Sequence, residues 1–279
     1  MRFFRLRGME HRLPRCTIHF EEFGEGRLLL VLHGGYLDHR HMVDTIEPLF
    51  DGRKGWKRIY IDIPGHGNSA IDESVSTHDQ VLENILGFMD EVAPQQSFAV
   101  AGESRGGYLA RGIIHSRPDL VDGALLIAPG RYAACAEESV PTHVTLGRAD
   151  ELAPTLTPNE TERFERLVVQ NAEILEKIRK YKIPAAALAD DMHQTKINEN
   201  YEFSFDVDSP ERPFEKPVVF LLGRHDSMVG YRDALKVIEH FPRATFAVLD
   251  RAGHSLSWEQ PELFNALATD WIQRVEEYD

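Results

Sequence analysis

The chain has 279 residues, of which 42% are hydrophobic and 27% are charged, a composition that excludes disordered and low-complexity proteins. Its formal net charge is −14, which disfavours binding to nucleic acid or to an anionic membrane surface, because both would repel it. The longest purely apolar runs have five residues, far fewer than the roughly 18 that are needed to cross a bilayer.

The cysteines and the N-terminus bear on the cellular compartment. The chain has two cysteines, Cys16 and Cys135, and no C-x-x-C pair, which excludes zinc-ribbon and thioredoxin-type sites. The N-terminal stretch is basic but lacks the apolar segment of a secretory signal, so we expect a cytoplasmic protein. We expect a small-molecule partner, with no nucleic acid and no membrane, and the sequence leaves the oligomeric state open.

Strands and helices alternate along most of the chain. Strands are predicted at 12–23, 27–32, 57–63, 97–101, 121–127, 217–222 and 244–249. Helices are predicted at 42–49, 78–92, 106–116, 231–240 and 261–278. Short apolar strands between helices are typical of a mostly parallel sheet that is covered on both faces, and the opening strand pair indicates a mixed edge.

Residues 131–216 interrupt this alternation without a convincing strand. Thr157 and Glu160 form a capping box that predicts a helix running to about Lys182, and a second helix is predicted at 185–197. We therefore predict a core at 1–130 and 217–279 with a helical lid at 131–216 over the carboxyl edge of the sheet. The alternative is a helical subdomain that serves packing alone.

The strongest catalytic pattern is G-x-S-x-G, from Gly102 to Gly106. An apolar strand precedes it and a predicted helix follows, so Ser104 would stand on a sharp strand-to-helix turn at the carboxyl end of the sheet. A serine needs a base to become a nucleophile, which His254, after the last strand, can supply. Asp226 follows the strand at 217–222 and would orient that histidine; Asp150, in a similar L-G-R-x-D stretch, is the alternative.

An acyl-transfer serine also needs donors for the developing oxyanion. We expect the backbone N–H of Arg105 and that of Gly35, with Tyr36 as the alternative to Gly35. His33, Gly34, Tyr36 and Glu103 are candidate substrate contacts, although a salt bridge near the turn is the alternative role for Glu103.

Together these motifs resemble the α/β-hydrolase superfamily. The matching residues, in the family's order, are His33-Gly34-Gly35, the stretch from Asp62 to Ser69, the turn at Ser104, Asp226 and His254. The resemblance implies an α/β-hydrolase fold with a helical lid inserted after the sixth strand, and a Ser-His-Asp triad. Lid-bearing esterases, carbon–carbon-bond hydrolases, iminopeptidases, thioesterases and acyltransferases share this pattern, so the subfamily stays open.

Other patterns favour neither a cofactor nor a metal. The Gly65–Ala70 stretch fits G-x-G-x-x-A, but no helix is predicted to start there and no acid follows at the distance a dinucleotide site needs. His39 and His41 are two residues apart and would not share a helix face. Asp190 and Asp191 could contact a cationic substrate group, but a solvated helix face is the simpler interpretation.

We expect a serine hydrolase that cleaves an ester, thioester or related carbonyl compound through an acyl-enzyme. Two alternatives stay open: an acyltransferase that uses the same triad, and a ligand-binding protein that keeps the pocket without catalysis.

Overall fold

The computed structural model describes residues 8–130 and 140–278. Cys135 and the predicted start of the insertion at residue 131 lie outside these residues. Within the described ranges, no helix is long and apolar enough to cross a membrane.

The described residues form one nine-stranded sheet. Its strands are β1 (Met9–Arg12), β2 (Cys16–Gly24), β3 (Arg27–Leu32), β4 (Trp56–Ile61), β5 (Ala70–Ile71), β6 (Phe98–Glu103), β7 (Val121–Ile127), β8 (Val218–Gly223) and β9 (Ala244–Leu249). Their order is β1-β2-β4-β3-β6-β7-β8-β9, and β5 pairs with β2. β2 is antiparallel to β1, β4 and β5, and the remaining pairs are parallel. The sheet is therefore mostly parallel with a mixed edge, as predicted.

Helices cover both faces of the sheet. They are α1 (His39–Ile46), α2 (His78–Val92), α3 (Arg105–Ser116), α4 (Pro158–Phe164), α5 (Ala172–Lys177), α6 (Ile183–Ala186), α7 (Asp191–Glu199), α8 (Leu256–Glu259) and α9 (Pro261–Glu276). Residues of α2 and α3 pack in one large apolar cluster and residues of α1 and α9 in another. The strands β6 and β8 are buried at every position, which explains their continuous apolar runs.

The predicted strand at 12–23 is two strands, β1 and β2. The chain turns between them, where the Leu13 N–H donates to the Cys16 carbonyl at 2.8 Å. Pro14 lies in this turn, and proline has no N–H to give to a sheet. The prediction of a single strand over 12–23 was wrong because it did not allow for the break at Pro14.

The insertion contains more short helices than predicted. The capping box at Thr157 and Glu160 is present, but α4 ends at Phe164 and the helix does not continue to Lys182. Val169 bridges to Gly147, and the Asn171 side chain then caps α5. A π-helix over Ile178–Lys182 links α5 to α6. The second predicted helix, at 185–197, is α7, which begins later at its cap Asp190.

The helix predicted between β8 and β9 is a 3-10 helix and not an α-helix. The segment predicted as a helix at 231–240 is a 3-10 helix that starts at Ala234.

A buried ion pair fixes the loop that follows β4. Asp62 is fully buried, and its Oδ1 accepts hydrogen bonds from the His39 backbone N–H and from His39 Nδ1, both at 2.8 Å. His39 Nε2 lies 3.5 Å from Glu21 Oε1. Burial disfavours the charged imidazole, but Asp62 and Glu21 outweigh it and raise the pKa of His39 from 6.5 to about 9. Burial likewise raises the pKa of Asp62, but His39 outweighs it and lowers that pKa to about 2.

We expect the free energy of unfolding to decrease as the pH rises from 6.5 to 9. The unfolded chain releases the His39 proton near pH 6.5, whereas the folded chain holds it until about pH 9. The stabilisation is therefore complete below pH 6.5, and its loss amounts to about 3 kcal/mol at most. Urea unfolding at both pH values measures the decrease. It should be smaller in His39→Gln and unchanged in the exposed control His143→Gln; an equal decrease in His39→Gln would contradict this account.

Candidate active site

Ser104 lies on the sharp turn between β6 and α3. Its backbone has φ 52° and ψ −115°, a conformation that costs a residue other than glycine about 1–3 kcal/mol. A Cβ on Gly102 would lie 2.3 Å from the Gly106 carbonyl oxygen, and one on Gly106 would lie 2.4 Å from that of Leu32. Helix α3 can therefore approach β6 and β3 this closely only with glycine at both positions. This close packing holds Ser104 in its strained conformation.

Asp226 and His254 lie at the same edge of the sheet, after β8 and β9. Asp226 Oδ2 is 2.8 Å from His254 Nδ1, and Asp226 Oδ1 accepts from the backbone N–H groups of Met228 and Val229 at 2.8 and 3.1 Å. Burial raises the pKa of Asp226, but His254 and the two amides outweigh it and lower that pKa. The carboxylate therefore stays ionised and can orient the ring.

His254 shares a cavity of about 490 Å³ with Ser104. Burial lowers the pKa of His254, but the Asp226 carboxylate, aided by Glu103, outweighs it and raises the pKa above 6.5. Among the hydrogen bonds of the described residues, none joins Ser104 to His254. Such bonds are often long in a free enzyme and shorten when substrate binds.

His33 positions the peptide that we expect to stabilise the oxyanion. His33 Nδ1 donates to the Gly34 carbonyl at 2.7 Å, and Nε2 accepts from the Ile63 N–H at 2.9 Å. The carbonyl and the N–H of a trans peptide point in opposite directions, so this bond turns the Gly35 N–H away from His33. The other expected donor, the Arg105 N–H, belongs to the first turn of α3, where amides have no partner within the helix.

The candidate substrate contacts divide into two groups. Gly34, Tyr36 and Glu103 line the cavity, whereas His33 is fully buried with both ring nitrogens bonded. His33 thus lies outside the described lining of the cavity, and we expect it to position the Gly34 carbonyl. Glu103 is also engaged, because its Oε2 lies 2.8 Å from Nε2 of the buried His41, which is the ion-pair role expected as an alternative.

The other candidate acids lie elsewhere. Asp150 is exposed, and Asp190 accepts from the His193 N–H at 3.0 Å as the cap of α7. The described lining of the cavity includes neither of them, nor Asp191. The aspartate that contacts His254 is Asp226.

The histidines of the H-x-H pattern bind different carboxylates. His39 contacts Asp62, and His41 contacts Glu103. Within the described ranges, the group of residues that could hold a metal is His19, His39 and Asp62, whose candidate ligand atoms lie within 4.8 Å of one another. Because the His39 ring is already placed between Asp62 and Glu21, an ion pair accounts for this cluster.

Helix α7 contacts the core through polar side chains that the sequence analysis missed. The Arg105 guanidinium donates to the Gln194 side chain and, at 2.6 Å, to Asn198 Oδ1. Gln194 also donates to the Gly65 carbonyl at 3.2 Å. Gln194 and Asn198 are four residues apart and so share one helix face, a spacing that could have indicated a contact surface.

Glu259 is a second residue that the sequence analysis missed. Its carboxylate is buried and accepts from the Gly253 N–H, next to His254, and from the Val168 N–H of the insertion, both at 2.6 Å. Glu259 therefore connects the loop that contains Gly253 and His254, called the histidine loop below, to the insertion. No local pattern marks such a role, because one partner is 91 residues away.

Comparisons with known proteins identify the family. The family model described as "Serine aminopeptidase, S33" matches residues 25–261. The chain is 23% identical to a 2-hydroxy-6-oxononadienedioate/2-hydroxy-6-oxononatrienedioate hydrolase of Paraburkholderia phymatum, over 91% of this chain and 90% of that protein. It is also 23% identical to a pimeloyl-(acyl-carrier protein) methyl ester esterase of Vibrio campbellii, over 89% of this chain and 95% of that protein.

Similarity to solved structures confirms the predicted α/β-hydrolase fold. An alpha/beta superfamily hydrolase from Oenococcus oeni is 26% identical, with a TM-score of 0.80, and the match covers 93% of this chain and 96% of that one.

We expect Glu103→Gln to shift the rising limb of the pH–rate profile towards lower pH. We expect His254 to act as the base, which requires its neutral form, so activity should increase with pH through the ionisation of His254, whose pKa is raised above 6.5. Removing the Glu103 charge removes one cause of that raised pKa. Profiles of kcat/KM from pH 5 to 9 measure the shift. The exposed control Glu165→Gln should keep the wild-type limb, and an unshifted limb in Glu103→Gln would contradict the contribution of Glu103.

We expect Gln194→Leu to lower kcat about tenfold with a smaller change in KM. The variant loses the contact with Arg105, whose backbone N–H is an expected oxyanion donor, and a hydrogen bond to a charged group contributes about 1.5–3 kcal/mol. Steady-state kinetics on one ester measure the effect. The control is Thr195→Val on the exposed side of α7. An equal loss in both variants would indicate a general defect of the helix.

Proposed function

Because this chain belongs to the serine aminopeptidase S33 family of α/β hydrolases, we propose that it is a serine hydrolase in which Ser104, His254 and Asp226 cleave an ester, thioester or related carbonyl compound. The observation that carries this proposal is the 2.8 Å contact between Asp226 and His254, in a cavity that also contains the strained Ser104. A buried carboxylate on one ring nitrogen leaves the other nitrogen of His254 to act as a base.

The reaction proceeds in two halves. Ser104 Oγ attacks the substrate carbonyl while His254 takes its proton, and the N–H groups of Gly35 and Arg105 stabilise the resulting oxyanion. The bond to the leaving group breaks, and His254 gives that group the proton. Water then attacks the acyl-enzyme with His254 as the base, the acid leaves, and Ser104 regains its proton.

We assign the insertion the role of a lid, which divides the chain into a core at 1–130 and 217–279 and a lid at 131–216. This assignment is supported by the residues of the insertion that line the catalytic cavity, namely Glu162, Arg163, Arg166, Lys182 and Tyr201. The Lys182 ammonium also donates to Ser255 Oγ, next to His254, at 2.8 Å. The cavity volume suits a small to medium-sized substrate.

Hydrolysis of a carbon–carbon bond next to a ketone is the second candidate. It is favoured by the match to the Paraburkholderia phymatum hydrolase, which covers 91% of this chain. The same serine, base and oxyanion donors would serve, so a substrate panel should include keto acids beside esters.

The test of the proposed function is labelling with a fluorophosphonate followed by intact-mass measurement. The wild-type protein should gain one adduct, and Ser104→Ala should gain none and lose at least about a thousandfold in ester hydrolysis. Ser227→Ala, which changes another serine of the same cavity, is the matched control and should still be labelled. A folded wild-type protein without an adduct, or an active Ser104→Ala, would refute the proposal. Partition of the acyl group to an added alcohol well above its molar share would instead indicate an acyltransferase.

A further inference from the structure

The catalytic cavity carries a charge opposite to that of the whole protein. Among its lining residues, the cations are Arg105, Arg163, Arg166 and Lys182, and the carboxylates are Glu103 and Glu162. The chain as a whole has a formal net charge of −14. Cations concentrated in a cleft of an acidic protein create a local field that attracts an anion.

Within the described residues, Arg105, Arg163 and Lys182 have no carboxylate in contact, and Arg105 is already held by Gln194 and Asn198. Glu162 pairs with Arg166 at 2.8 Å, and Glu103 pairs with His41. The Arg163 guanidinium donates to the backbone carbonyl of Asn159, and Lys182 donates to the Ser255 hydroxyl. Neither Arg163 nor Lys182 takes part in an ion pair with any residue in the described ranges.

The Lys182 ammonium lies close to the catalytic base. It sits 4.8 Å from the centre of the Trp258 ring, and its partner Ser255 directly follows His254. It is the last residue of a π-helix, a local irregularity that is frequent at functional sites.

The charges that surround Lys182 do not cancel. Burial lowers the pKa of Lys182, Glu103 and Glu259 oppose this change, and Arg163 and Arg166 lower the pKa further. Glu103 and Glu259 already have their own hydrogen-bond partners. Like charges that repel one another at the edge of a cavity are stabilised when an anion binds between them.

We propose that Lys182 and Arg163 bind a carboxylate of the substrate, so that the preferred substrates are carbonyl compounds with a second, ionised carboxyl group. This inference rests on the proposed function and specifies its substrate class. A singly charged carboxylate fits better than a phosphate dianion, because Glu103 and Glu162 line the same cavity and would repel the second charge.

The experiment compares two substrates that differ only in charge: the mono-4-nitrophenyl ester of adipic acid, and the same ester with its free carboxyl converted to a carboxamide. We expect wild-type kcat/KM to be at least about tenfold higher for the acid, mainly through a lower KM. Lys182→Met and Arg163→Gln should each reduce this preference about tenfold. Equal rates for the two substrates, or an unchanged preference in both variants, would overturn the proposal.

The matched control is Lys180→Met. Lys180 is exposed, lies two residues from Lys182 and stacks on Tyr181 at 4.8 Å, outside the cavity lining. This variant should keep the wild-type preference. If Lys180→Met also reduced the preference, a non-specific effect of surface charge would explain the preference, and the proposed site would be refuted.

Two further measurements keep the proposal testable. If a variant fails to fold, inhibition of the wild-type enzyme by adipate and by its diamide gives the same comparison, with adipate expected to inhibit at least about tenfold more strongly. Calorimetric binding of the adipate half-ester to Ser104→Ala tests the subsite without turnover. An absent fluorophosphonate adduct with retained half-ester binding would refute the proposed function alone, whereas an adduct without preference for the acid would refute the carboxylate site alone.

Discussion

The close approach of β6, α3 and β3 sets the geometry on which the site depends. Because Gly106 packs against the Leu32 carbonyl, the first turn of α3 lies next to the loop that follows β3. The Arg105 guanidinium accordingly lies 3.4 Å from the place that a Gly35 Cβ would occupy. The same packing holds Ser104 in its strained turn, so Ser104 and both expected oxyanion donors are fixed by one contact between backbones. A side chain at Gly102 or at Gly106 would force these elements apart.

Buried carboxylates hold the loops around this contact. Asp62 fixes the loop after β4, Glu103 contacts His41 on α1, Asp226 orients His254, and Glu259 joins the histidine loop to the insertion. Burying a carboxylate is costly unless it is paired or hydrogen-bonded, and each of these has an imidazole or backbone N–H partner. Loops at a sheet edge bury little apolar surface, so such polar contacts are what can fix them in place.

The sequence predicted best where local pattern and tertiary structure agree. The strands at 27–32 and 121–127 are found at the predicted bounds, because a short apolar run between turns fits a strand that is buried on both faces of the sheet. The Ser104 turn was predictable from its glycines, because Gly102 and Gly106 lie where two backbones approach too closely for a side chain. Prediction failed where residues far apart in the sequence determine the local structure. In the insertion, the N–H groups of Val168 and Val169 donate to Glu259, and the predicted helix does not continue through them. The burial of His33 could not be foreseen for the same reason, because its partner Ile63 is 30 residues away.

The two parts of the insertion contact the rest of the chain through different sets of residues. Residues of α4, α5 and the π-helix share an apolar cluster with Trp258 of α8. Separating these helices from α8 would expose apolar surface to water. Helix α7 has both kinds of contact: Ile197 is buried in the large apolar cluster with α2 and α3, and Gln194 and Asn198 accept hydrogen bonds from Arg105. A hydrogen bond from a charged group contributes about 1.5–3 kcal/mol, so these two side chains add to the attachment that Ile197 provides. Arg105 also carries an expected oxyanion donor, so α7 contacts the first turn of α3 at the residue where that donor lies. The order of α7 and the order of the expected oxyanion position are thereby coupled through one residue.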